Sequence, residues 1–133
     1  MTVKLSTALR NAMIASYEAY LGTAPLLQVF TGTEPAQTTL PDTGTKLLDI
    51  TLPTDWLTAP VNGGVALQGT WTGTALASGT CGYYRLKSSD GVVQEQGSVY
   101  QSGGAGDLEL DNVNLATNQT VQVLTWTRTQ GGQ

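Results

Sequence analysis

The groups in this chain that could do chemistry are ten carboxylates, one cysteine, three tryptophans and five tyrosines; there is no histidine. Without imidazole the commonest general base and the commonest neutral metal ligand are missing. Ser/His/Asp and Cys/His nucleophilic sites are excluded, as are zinc sites built from cysteine and histidine. A glycosidase needs only a carboxylate pair about 5–10 Å apart, so the acids merit inspection. Asp107, Glu109 and Asp111 alternate and share one strand face, and Asn112 and Asn114 follow. Such oxygen-rich groups could hold Ca2+. A solvated strand face explains them as well, and no EF-hand spacing is present. Trp56, Trp71, Tyr83, Tyr84, Tyr100 and Trp126 could form a sugar-binding platform, although aromatic rings in β domains mostly fill the core. Tyr83 and Tyr84 are adjacent in a strand, so one of them is expected to face outward. Cys81 has no basic neighbour in sequence and reads as a small buried hydrophobe. Gly103-Gly104-Ala105-Gly106 lacks the lysine of a phosphate-binding loop and reads as a plain loop. Asn118-Gln119-Thr120 matches a glycosylation sequon, read as accidental because no secretion signal is seen. No catalytic, cofactor-binding or metal-binding residue is assigned, and the chain is expected not to be an enzyme.

The elements that position these groups follow from pattern and composition. The 133 residues fit one domain. Only 12% are charged, against about 25% in ordinary domains. Threonine, at 21 residues, and glycine, at 16, fill the gap, which favours strands and turns. Residues 6–21 are alanine-rich with few β-branched side chains and predict a helix. Ser6 or Thr7 can cap it, and Gly22 with Pro25 ends it. Leu5, Leu9, Met13, Tyr17 and Leu21 recur every four residues, giving an apolar stripe that covers the β core or meets a neighbouring subunit. From Leu26 to Thr129 the pattern changes to seven or eight short strands. Residues 32–45 form a long loop, Asp90-Gly91 marks a hairpin, and 119–129 is the clearest strand. In that strand Val121, Val123, Thr125 and Thr127 point one way and Gln122, Leu124, Trp126 and Arg128 the other, so it is expected to be central. The expected fold is mainly β: one domain over 1–133, a β-sandwich or barrel-like, jelly-roll-like body at 26–129 behind a helix at 6–21.

Charge narrows the partners. The net charge is −4, and the six basic residues, Lys4, Arg10, Lys46, Arg85, Lys87 and Arg128, are dispersed. Nucleic-acid binding needs a clustered positive footprint and is not expected. No run approaches the length of a membrane span. One cysteine allows no intrachain disulfide, and no signal peptide is read at the N-terminus, so folding in a reducing cytosol is expected.

Several stretches resemble small proteins of tailed bacteriophages and prophages. They are the opening Lys4-Leu5-Ser6-Thr7-Ala8-Leu9-Arg10-Asn11-Ala12-Met13, then Val29-Phe30-Thr31-Gly32-Thr33-Glu34-Pro35-Ala36 and Leu48-Asp49-Ile50-Thr51-Leu52-Pro53. Gly69-Thr70-Trp71, Gly79-Thr80-Cys81-Gly82-Tyr83-Tyr84-Arg85, Gly97-Ser98-Val99, Leu110-Asp111-Asn112, Gln119-Thr120-Val121 and Thr125-Trp126-Thr127 continue the likeness. The resemblance implies a virion structural protein made in the host bacterial cytoplasm and located in the virion. A capsid decoration (cement) protein bound to the major capsid protein is favoured, because the chain is short and lacks a fibre's repeats. A tail- or fibre-associated protein binding tail components or host carbohydrate is the alternative. A symmetric dimer or trimer is expected, with Leu5, Leu9, Met13 and Tyr17 as the candidate subunit or partner interface. No cofactor and no site residue is implied.

Overall fold

The computed structural model describes residues 3–104 and 108–130. Helix α1 spans Thr7–Leu21. Ser6 caps it, its hydroxyl accepting from the Leu9 amide at 3.1 Å. At the far end the Gly22 amide donates to the Glu18 carbonyl, with φ of 84° that glycine tolerates.

Eleven strands follow: β1 Leu26–Phe30, β2 Lys46–Thr51, β3 Gly64–Ala66, β4 Thr72–Thr74, β5 Gly79–Thr80, β6 Tyr83–Lys87, β7 Val93–Gln101, β8 Leu108–Leu110, β9 Asn114–Leu115, β10 Thr120–Thr125 and β11 Thr127–Thr129. Seven of them make one sheet in the order β2-β1-β6-β7-β8-β10-β4. Neighbours are antiparallel except β7 and β8, which run parallel with Val99 opposite Leu108. The outermost strands, β2 and β4, approach each other. A Cβ on Gly73 would lie 2.7 Å from the Ile50 side chain, and just beyond β4 the Leu76 amide donates to the Leu47 carbonyl at 2.8 Å. The sheet is thereby a nearly closed barrel, which leaves few free edges. Of the two β architectures expected, the barrel-like one forms. Two-stranded pairs β3–β11 and β5–β9 complete it.

Trp56, Trp71 and Trp126 fill the core, fully buried, with ring centroids 5.8–6.0 Å apart. The tilted contacts suit the quadrupoles of the rings. Their indole nitrogens are satisfied: Trp56 donates to the Gly22 carbonyl and Trp71 to the Gln68 carbonyl, each at 3.2 Å.

Three expectations are corrected. First, the stripe does not share one face. A step of four residues turns about 400°, so each step drifts about 40°. The inward face is Arg10, Ile14, Tyr17 and Leu21, whereas Leu9 and Met13 are 48% and 41% exposed. Leu5 lies ahead of the helix and is half-buried. Second, Tyr83 and Tyr84 are both fully buried. Tyr84 faces the core, and the loop of residues 31–45 folds over the outer face of the sheet and covers Tyr83. Third, the 119–129 segment does not keep one alternation. It does lie between two neighbours, β8 and β4. Between Val123 and Thr125, however, two steps along β10 match one along β8, a bulge that shifts the side-chain parity. Val121, Val123 and Trp126 are therefore all buried, and Leu124 is exposed.

Candidate functional site

Among the described residues, two polar clusters with charged centres and one surface of α1 stand out. The first cluster centres on Glu95 in β7. Its Oε1 accepts from the Tyr17 hydroxyl and from Arg128 Nε at 2.7 Å. Its Oε2 accepts from the Tyr84 hydroxyl at 2.5 Å, Arg128 Nη2 at 2.5 Å and the Trp126 indole at 3.2 Å. Arg128 also donates to the Tyr84 oxygen and lies 4.5 Å from the centre of the Trp126 ring. Five donors meet a carboxylate that offers about four lone-pair positions. The donors come from α1, β6, β11 and the residue linking β10 to β11. The Glu95 side chain is only 13% exposed. Its oxygens are taken up by these donors, and the cluster clasps the helix to the barrel.

The electrostatics follow from that enclosure. Burial, then the Glu95 charge, pushes the Tyr17 and Tyr84 hydroxyls well above the ordinary phenol range. Burial works against the Arg128 cation, but its hydrogen bond to Glu95 and the negative charge around it outweigh that and tighten its proton. Both tyrosines thus hold protons more firmly folded than unfolded, where they titrate near 10. Their contribution is intact below about pH 10 and falls above it, as the unfolded chain releases protons that the folded one keeps. The slope reaches up to about 1.4 kcal/mol per pH unit for buried Tyr84, and less for the partly solvated Tyr17. Urea midpoints measured from pH 9 to 11.5 are expected to fall over that range; a flat series contradicts the clasp.

The second cluster centres on Arg85 in β6, whose side chain is 1% exposed. Its guanidinium donates to Asp42 Oδ1 at 2.9 Å, to the carbonyls of Leu40 and Gln37 at 2.8 and 3.3 Å, and to Gln96 Oε1 at 3.2 Å. Lys87 also reaches Asp42, and the Tyr83 hydroxyl exchanges hydrogen bonds with Thr43. The long loop is closed at its base, where the Thr31 amide donates to the Thr45 carbonyl and the Thr45 amide to the Thr31 hydroxyl. Gly44 sits there with φ of 75°, and a Cβ on it would fall 2.3 Å from the Thr31 carbonyl oxygen. So the 31–45 loop is a fixed cover, not an open binding arm. Arg85→Leu removes these bonds and is expected to cost about 2 kcal/mol. Limited proteolysis of that variant is expected to cut first within 33–42; unchanged digestion contradicts the assignment.

The remaining candidates do not assemble into a site. Asp107 lies outside the described residues. Asp111 accepts from the Gln122 amide, and Glu109 from the Gly103 amide at 3.4 Å. Among the described residues no group of three or more cysteine or carboxylate side chains comes together to hold a metal ion. Of the six aromatic residues considered for a sugar platform, five are buried and Tyr100 alone is exposed. Cys81 is buried, and burial pushes its thiol up to about 11. Among the described residues no helix is long and apolar enough to cross a membrane.

The surface of α1 carries what the interior does not use. Leu9, Met13 and Tyr20 are exposed along one flank of the helix, Tyr20 at 74%. Of the four interface candidates, Leu9 and Met13 stand on this flank and Tyr17 is committed to Glu95. Sequence reading missed Glu95, Arg85 and Tyr20. A shared face for Trp126 and Arg128 was legible; that it meets Glu95 was not.

The fold and these clusters define a single-domain, barrel-like β protein whose buried polar groups clamp its own elements. Compared with known proteins, the chain matches no family model, no curated protein and no solved structure.

Proposed function

We propose that this chain is a structural protein of a tailed-phage virion, a capsid decoration protein that binds the major capsid protein and stabilises the head. It acts through its surface and turns over no substrate. One observation carries this reading: the Glu95 and Arg85 side chains, with chemical capacity, are used inside the fold, while apolar side chains are left outside along α1. Dispersed charge and the sequence resemblance to small phage proteins support it further. The tail-associated, carbohydrate-binding reading has less behind it, because most of the aromatic side chains it would use are in the core.

Leu9 and Met13 are the residues proposed to touch the capsid protein or a second copy in a dimer or trimer. Leu9→Asp and Met13→Asp place charge on an exposed flank, so melting is expected to stay near wild type, within about 0.5 kcal/mol. Retention on purified particles is expected to drop sharply. Wild-type retention in both variants removes this flank from the account. The role itself is tested by protein quantification in virions: on the order of hundreds of copies per particle are expected, and a handful contradicts it.

A further inference from the structure

Opposite the Leu9–Met13–Tyr20 flank, α1 forms one wall of a groove. The other wall is the irregular segment 54–60, which follows β2. The groove comprises two adjoining cavities of about 300 and 400 Å³ that share Ala15, Glu18 and Asp55. Ile14, Leu57 and Val65 give the first cavity an apolar floor, and Ala15 and Ala19 keep the helix wall low. Glu18 and Asp55 stand where the cavities meet. Glu18 accepts from the Leu57 amide at 3.2 Å, and Asp55 from the Gln68 side-chain amide at 2.6 Å. Neither has a cation: among the described residues the ion pairs involve Asp42, Asp49 and Glu95. No lining residue of either cavity is basic.

An apolar trough with two uncompensated carboxylates at its midpoint complements a side chain that is apolar along its stem and cationic at its tip. We infer that this groove docks an extended segment of the partner protein through an arginine or lysine side chain. The aliphatic stem lies over Ile14 and Leu57, and the cation reaches Glu18 and Asp55. This deepens the proposed virion role by naming the partner's chemistry, and it rests on that reading. The carboxylates are partly solvated, so the contact gives specificity and register more than affinity, and salt weakens it.

The test is amide chemical-shift titration of the whole chain with the capped peptide acetyl-Ala-Arg-Ala-amide, and with the same peptide carrying citrulline. Saturable shifts confined to Ala15, Glu18, Ala19, Asp55 and Thr58 are expected with arginine and not with citrulline. Asp55→Asn and Glu18→Gln keep an acceptor for their present donors and are expected to weaken binding several-fold with unchanged melting. Equal shifts with citrulline, shifts scattered over the surface, or no shifts overturn the inference. Equal or tighter binding of spermidine at these amides also overturns it, by making the groove a general cation site. Virion copy number does not depend on this titration, so the two failures are distinguishable.

Discussion

Glu95→Ala is expected to be among the most damaging single substitutions in the chain, costing about 3–5 kcal/mol, the usual range for breaking a buried ion pair from one side. The loss leaves Arg128 without its counter-charge and the Trp126 indole, Tyr17 hydroxyl and Tyr84 hydroxyl without their acceptor. The pair is not wholly dry, with side-chain exposures of 13% and 23%, so solvent screening favours the lower end. Urea denaturation reads the cost. Adding Arg128→Ala is expected to return part of it, because the stranded cation is removed as well. A loss under about 1 kcal/mol, or strict additivity, contradicts the clasp.

Trp71→Ala is expected to cost a similar amount, about 3–5 kcal/mol, by a different route. Trp71 is fully buried and touches both other indoles, at 6.0 and 5.8 Å. Its removal leaves a cavity bounded by two rigid rings that cannot collapse into it. Since 5–15 kcal/mol is the whole margin of an ordinary domain, either variant is expected to be partly unfolded when heated moderately. Thermal melting followed by near-ultraviolet circular dichroism checks this. A Trp71→Ala protein with the wild-type midpoint would mean that the indole cluster is not the organising core.

Local features were legible because local physics sets them. Ser6 and Gly22 bound the helix, strands form over the β-branched runs, and the glycine- and proline-rich run at 32–45 is a loop. Errors arose where a local rule met a tertiary one. Leu9 and Met13 joined the stripe by a four-residue spacing that a helix of 3.6 residues per turn does not hold on one face. Tyr83 was expected to have an outward neighbour in Tyr84 or to be outward itself, but a loop forty residues earlier covers the outer face. Trp126 changed sides through a bulge that no residue type announces. The Glu95 and Arg85 clusters join residues 33 and 43 positions apart, a proximity that only the tertiary fold creates. The groove beside Glu18 and Asp55 depends likewise on how the 54–60 segment runs past α1.

Together the clusters describe a domain that uses its ionisable groups to hold itself in shape. A nearly closed barrel with a clasped helix presents defined surfaces, which suits the proposed attachment to a capsid lattice. Reconstruction of the intact particle is the direct measurement. Our account predicts barrel-shaped density at symmetry-related positions on the shell, with the Leu9–Met13 flank of α1 against the major capsid protein. Shell density fully explained by other proteins, with this chain absent from the head, contradicts it.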